Sequence, residues 1–314
     1  MECGIGGEYD ATNVLPAEAV SATVVSQLGI DHVSMLGDTV EKIAWHKAGI
    51  FKPAVAGYTL GLKGEPGVMA VLRQRAADRG ARLVELDEEA VDAWCGVKSA
   101  LRGDFQRRNQ ALAVFAVQEH LGIQDRAAST AEMLAHLTDD TVRGLQNAKL
   151  RGRCEVIRDE SEQHNVEWML DGAHTKESIQ EVGKWLLQRI SEDELVVLVF
   201  NQQERDAPRL LAHLVETVAK QRGKGVFSRA LFTRNEQRAT EHDGDLTVQN
   251  AGAEAMKTLV PECQIYVFDN IQTAVAEARK KPAGDKGTRQ KVLVTGSLYL
   301  VGSVMRVIEP GSLL

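Results

Sequence analysis

Short apolar runs and longer amphipathic stretches alternate along this chain. Val20–Ser26, Ala54–Thr59 and Arg82–Leu86 read as strands, and Thr39–Lys47, Gly67–Arg79 and Gln106–His120 as helices. A polar, turn-containing segment over Thr138–Leu150 predicts a boundary, with one domain over 1–148 and a second over 149–314. Beyond it the alternation resumes. Val166–Leu170, Leu195–Phe200, Arg229–Thr233, Ile265–Phe268 and Lys291–Thr295 read as strands. Thr175–Ile190, Ala207–Gln221 and Gln272–Lys280 read as helices, and Lys220–Gly225 and Lys280–Arg289 as exposed loops. Such alternation predicts an α/β fold, with largely parallel sheets covered by helices. No internal repeat is visible.

The stretch Leu28–Lys52, LGIDHVSMLGDTVEKIAWHKAGIFK, concentrates chemistry. It follows the β-branched run Thr23-Val24-Val25, so Asp31 and His32 fall on the turn after a strand, where open α/β sheets place ligands. Asp38 followed by Glu41 has the spacing of a capping box. The helix it opens runs toward Lys47 and stops at Gly49.

Composition narrows the field. The 314 residues are 44% hydrophobic and 26% charged, ordinary for a soluble globular chain of two domains. A net charge of −7 gives no basic stripe for nucleic acid, so phosphate binding must be local. The four cysteines, Cys3, Cys95, Cys154 and Cys263, form no C-x-x-C pair, which argues against a zinc site and suits a reducing compartment. No apolar run approaches the roughly 20 residues of a membrane span. The chain opens directly in a glycine-rich loop, GIGGEYDATNV, without a signal or transit segment. Such loops need a scaffold on both sides, so the expectation is a start inside a domain whose first strands are absent.

Several polar residues stand at places where chemistry is done. Glu2, beside the glycines of ECGIGG, suits a hard cation such as Mg²⁺, or is a solvated acid at an ordinary glycine turn. His32 reads as a metal ligand, a base or a capping residue. Lys47 reads equally well as a cation complementing a helix end, and nothing in periodicity ranks it above Lys42 or Lys52. Asn109 opens an amphipathic helix, where its amide either reads a purine edge or faces water. Arg153, in LRGRCEVI, is a candidate phosphate clamp. In LDGAHT a strand ends at Asp171 and a helix starts near Thr175, with His174 between them. That pattern is a plausible nucleotide or anion site, or a plain turn. VLVTGSLYLVG repeats the strand–glycine–helix design. G-x-x-x-x-G-K-[ST], a complete G-x-G-x-x-G and G-x-S-x-G are all absent from the sequence.

Taken together, GIGGEYDATNV, the Leu28–Lys52 segment, the Gln106–Asn109 region, Gly152-Arg153, MLDGAHT, LVFNQQERD and VLVTGSLYLVG resemble folylpolyglutamate synthase of the eukaryotic kind, within the Mur-type amide ligases. The resemblance implies a partial Mur-type central ATPase domain followed by a Rossmann-like ligase domain. It implies that ATP phosphorylates the γ-carboxylate of a tetrahydrofolate or folylpolyglutamate, and that the amine of L-glutamate then attacks the acyl phosphate. Glu2 and His32 match Mg²⁺ ligands, with Cys3 where the family has valine. Lys47 matches a lysine that is carbamylated, and with His174 has a catalytic role. Asn109, Arg153 and Asp171 match ATP-binding positions. The implied cofactors are ATP and Mg²⁺, with a monovalent cation such as K⁺, in a monomer of the cytoplasm or mitochondrion. The family's phosphate loop lies upstream of the Glu2 motif, so little ligase activity is expected of these residues alone. A dihydrofolate synthase, or a non-catalytic remnant binding folate or a partner, stays open.

Overall fold

The computed structural model describes residues 1–99, 101, 103, 105–160, 165–203, 206–223, 225–236, 245–280 and 289–311. They form two compact units, one built mainly from Met1–Ser99 and Asp104–Ala148, the other mainly from Lys149–Leu314. Both are α/β, as the alternation predicts.

In the first unit β1 (Ala22–Val24), β2 (Ala56–Gly61) and β3 (Arg82–Asp87) make a parallel sheet in that order. Around it run α1 (Val33–Leu36), α2 (Val40–Lys47), α3 (Pro66–Arg79), α4 (Glu88–Ala93), α5 (Gln106–Leu121), α6 (Thr130–Ala135) and α7 (Asp139–Asn147). Parallel sheets are covered on both faces. Here Tyr58 and Leu60 pack with Leu112 and Phe115 of α5, while Phe51 packs with Ala44 of α2 and Val68 and Leu72 of α3. Among the described residues β1 pairs with β2 alone, so its other edge has no strand partner. β1 is shorter than the expected Val20–Ser26. The start of α2 also differs. Thr39, not Asp38, is the extended residue whose side chain caps the helix by accepting from the Lys42 amide. Asp38 pairs instead with Lys42 at 2.8 Å.

Tyr58 supplies a pH test of this core. Its ring is fully buried, and its hydroxyl donates to Glu119 Oε2 at 2.9 Å. Burial, then the Glu119 carboxylate, push the phenol up from 10.0 to about 12. A raised folded pKa means that the folded state holds the proton which the unfolded state gives up first. Tyr58 therefore favours folding fully below pH 10, and that contribution is lost as pH rises toward about 12. Denaturation midpoints measured across this window should fall for the native chain, and more gently for Tyr58→Phe. Parallel slopes would remove Tyr58 as the cause.

The second unit carries β4 (Glu155–Glu160), β5 (Asn165–Leu170), β6 (Val196–Phe200), β7 (Phe227–Thr233), β8 (Gln264–Phe268) and β9 (Gln290–Thr295). The sheet order is β4-β5-β9-β6-β7-β8, parallel except for the antiparallel β4–β5 pair. Helices α8 (Lys176–Leu187), α9 (Ala207–Arg222), α10 (Thr247–Leu259), α11 (Ile271–Ala278) and α12 (Leu298–Ile308) complete it. β6 is buried along its whole length, which is why its sequence, VVLVF, has no polar alternation.

Two elements of this unit were not foreseen, nor in the first unit were α1, α4, α6 and α7, the last lying inside the segment read as a polar boundary. β4 is an edge strand with charge at most of its positions, EVIRDE, held by pairing to β5 rather than by its own pattern. In α10, TVQNAGAEAMKTL, the buried face mixes a polar residue, Gln249, with Gly252, Ala253 and Met256, and Gly252 packs close to the Phe232 ring. The expected loop over Lys220–Gly225 begins later, since α9 runs to Arg222 and Gly223 closes it in the left-handed conformation. Residues 281–288 of the other expected loop, and Glu204 and Arg205 of LVFNQQERD, lie outside the described residues.

Candidate functional site

In the first unit the opening loop is organised by one carboxylate. Asp10 accepts from the amides of Gly4 at 2.8 Å, Ile5 at 3.3 Å and Thr12 at 2.9 Å, and from the Thr12 hydroxyl at 2.6 Å. The Thr12 hydroxyl, ahead of the Thr12 amide, draws its pKa down to about 2. The loop wraps a cavity of about 520 Å³ that also runs along the open edge of β1. Glu2, Thr12, Asn13, Lys47 and Lys52 line it. Lys47 is the last residue of α2, and Gly49 sits in the tight turn that follows. Lys52 donates to the Asn13 carbonyl at 2.7 Å, whereas Lys47 makes no ion pair among the described residues.

The structure thus brings Glu2 and Lys47 onto one cavity. It does not bring His32 there. His32 begins α1 in the left-handed region (φ 48°), and its amide donates to Asp31 Oδ1 at 2.7 Å. Its ring Nε2 lies 3.7 Å from Asp31 Oδ2. Among the described residues no group of three or more His, Cys, Asp or Glu is placed to hold a metal. Mg²⁺ asks less of a protein, because it keeps several waters and takes one or two carboxylates together with phosphate oxygens. Glu2, on the cavity that Lys47 also lines, is one such carboxylate. Asn109 lies exposed on the first turn of α5, with its Nδ2 donating to Gln106 Oε1 at 3.1 Å.

In the second unit the exit from β5 is the built feature. Asp171 is buried and accepts from the Cys154 amide at 2.7 Å and the Ala173 amide at 2.9 Å. Burial raises its pKa, while the Cys154 amide and the Arg153 charge oppose the rise. Asp171 thereby ties the Gly152-Arg153-Cys154 turn to its own loop, and the Gly172 amide adds a bond to the Gly152 carbonyl at 3.1 Å. His174 follows, with Nδ1 2.9 Å from the Gly172 carbonyl. Thr175 then caps α8, exchanging side-chain and backbone bonds with Ser178. Arg153, Asp171 and His174, 21 positions apart at most, are therefore drawn into one neighbourhood.

β9 lies between β5 and β6, so the carboxyl ends of the three strands are neighbours. Gly296 leaves β9 at φ 110°, where a side chain would be strained, and a Cβ there would stand 2.5 Å from the Asn201 carbonyl. Gln202 Nε2 donates to the Gly296 carbonyl at 2.8 Å, and Gln249 Nε2 to Asn201 Oδ1 at 2.8 Å. Sequence reasoning did not single out these buried amides. The available signal was two amides directly after a fully apolar strand, since polar groups in such a place need dedicated partners.

No family model matches the chain. Folylpolyglutamate synthase of Neurospora crassa is 36% identical over 328 residues, covering 98% of this chain. That of Saccharomyces cerevisiae (strain YJM789) is 32% identical over 325 residues, again covering 98% of this chain. The chain is a homologue of the folylpolyglutamate synthases. It spans 60% and 57% of the length of those two relatives. Among solved structures, Mycobacterium tuberculosis folylpolyglutamate synthase complexed with ADP and AMPPCP has a TM-score of 0.71 at 24% identity, over 98% of this chain and 67% of that one. E. coli FolC in complex with DHPP and ADP has a TM-score of 0.65 at 21% identity, over 98% and 66%. These likenesses show that the fold is that of folylpolyglutamate synthases.

Proposed function

We propose that this chain belongs to the machinery of ATP-dependent ligation of L-glutamate to the γ-carboxylate of a tetrahydrofolate or its polyglutamates, giving ADP and phosphate through an acyl phosphate. The observation that carries the reading is the meeting of Glu2 and Lys47 on one cavity, in a chain homologous to folylpolyglutamate synthases over 98% of its length. Glu2 and a carbamylated Lys47 would hold Mg²⁺, which when bound shields phosphate charge during transfer. Carbamylation turns the lysine from a cation into an oxygen donor, and among the described residues the amine has no ion-pair partner to compete with that reaction. Asn109, exposed at the start of α5, offers a donor and an acceptor to an adenine edge. Arg153 presents a cation to phosphate, and Asp171 holds the loop on which it sits in register. With Nδ1 of His174 donating to Gly172, Nε2 is the acceptor that can take a proton from the attacking ammonium group of glutamate. His32, off the cavity, enters as a further ligand only if its turn rearranges.

The test is γ-glutamyl extension by the chain with ATP, Mg²⁺ and glutamate, using tetrahydrofolate or dihydropteroate as acceptor. The expected result is ATP-dependent extension of tetrahydrofolate, with oxygen label from the acceptor carboxylate passing into phosphate. Extension of dihydropteroate instead would move the assignment to a dihydrofolate synthase. Glutamate addition without ATP would end the ligase reading.

A further inference from the structure

The end of α2 is held by a latch that the sequence pattern does not announce. Glu8, in the glycine loop, points its carboxylate at two arginines of α3, Arg75 and Arg79; Arg79 Nη2 donates to Glu8 Oε2 at 2.5 Å, and Arg75 reaches the same oxygen. Arg75 is itself nearly buried, and its guanidinium lies 4.1 Å from the centroid of the Trp45 ring on α2. The backbone of Glu8 completes the joint. Its amide donates to the His46 carbonyl at 2.8 Å, satisfying one of the acceptors that a helix end leaves open. Asn13 Nδ2 bridges the carbonyls of Glu8 and Gly49, at 3.1 and 3.0 Å. The contact is so close that a Cβ on Gly49 would stand 2.4 Å from the Glu8 Cα.

Three elements therefore meet at one residue: the loop that carries Glu2, the last turn of α2, bonded by the Glu8 amide, and α3, bonded by its carboxylate. We infer that Glu8, clamped by Arg75 and Arg79, is a positioning residue that sets the separation of Glu2 and Lys47 across their shared cavity. The inference rests on the proposed metal role of those two residues. Glu8 itself does not line the cavity. Its action is through the loop and the helix end, where a displacement of about an ångström is enough to spoil a ligand pair. The paired charges are largely shielded from water, so removing the carboxylate leaves two arginines without their partner and frees the turn.

The experiment compares the native chain with Glu8→Gln, Glu2→Gln and a control, Glu85→Gln, which opens the exposed pair between Arg73, in the middle of α3, and Glu85 of β3. Two readouts are needed in bicarbonate buffer: amide hydrogen exchange over Glu8 and Lys47, and calorimetric titration with MgCl₂ alone. Faster exchange at those amides and about tenfold weaker Mg²⁺ binding in Glu8→Gln, with Glu85→Gln unchanged, is the expected result. Unchanged exchange in Glu8→Gln overturns the latch whatever the metal does. Faster exchange with unaltered Mg²⁺ affinity overturns the positioning role. A native chain that takes up no Mg²⁺ ends the metal reading, and the exchange data still report on the latch. A double swap, Glu8→Arg with Arg75→Glu, should restore part of the affinity if the ion pair is the cause.

Discussion

Replacing Lys47 with alanine is expected to lower γ-glutamyl ligation at least about a hundredfold, the usual scale for losing one preorganised electrostatic group at a reacting centre. The side chain comes from the last turn of α2 into the cavity shared with Glu2. Two chemistries are open to it there. As an ammonium it would attract phosphate directly, and arginine would replace it with modest loss. As a carbamate it would supply an anion, and arginine would fail as badly as alanine, because a guanidinium keeps its charge and forms no carbamate. Equal loss in Lys47→Ala and Lys47→Arg is the predicted pattern, with unfolding midpoints near native for both, since the side chain is only half-buried and makes no ion pair among the described residues. Activity retained by Lys47→Arg would return the residue to the role of a simple cation.

Trp168→Ala should have the largest effect on stability. Trp168 sits mid-way along β5, fully buried, opposite Ile157 of β4 and Val292 of β9. It is the largest side chain in a core that includes Leu170, Val294 and Leu300. Truncating a buried aromatic residue to alanine typically costs about 3–5 kcal/mol, through lost burial and the cavity left behind. Small domains have only about 5–15 kcal/mol in all. Urea unfolding followed by circular dichroism should show the shift, while Trp45→Ala, at a ring 37% exposed, should show less. A cost under about 1 kcal/mol for Trp168→Ala would mean that the core refills the space, contrary to the expectation for a close-packed protein interior.

How much of this was legible depends on distance along the chain. The β5–loop–α8 crossover could be read directly, because VEWML, Asp171 and Thr175 are contiguous and each obeys a local rule. The cap of α2 was misplaced by one residue. Asp38 and Thr39 are both cap formers, and only the backbone decides which is the extended one. β4 was missed because an edge strand takes its stability from its partner, and α10 because its buried face, Gln249, Gly252, Ala253 and Met256, holds a polar residue and a glycine in place of an apolar stripe. The Glu8–Arg75 contact joins positions 67 apart and the Gln249–Asn201 bond positions 48 apart, separations over which no periodicity operates. Among the residues singled out for chemistry, Arg153, Asp171 and His174 are gathered by a loop of the second unit, and Glu2 and Lys47 by a cavity of the first. Spacing placed His32 beside them in sequence, but its left-handed turn carries it to Asp31 instead.

The most direct measurement of the account is nuclear magnetic resonance of the chain in isotope-labelled bicarbonate, with and without Mg²⁺. A carbamate carbon signal that strengthens with Mg²⁺, and that disappears in both Lys47→Ala and Lys47→Arg, is the predicted result. A native chain that shows no carbamate at saturating bicarbonate and Mg²⁺, or a signal that survives replacement of Lys47, would contradict it.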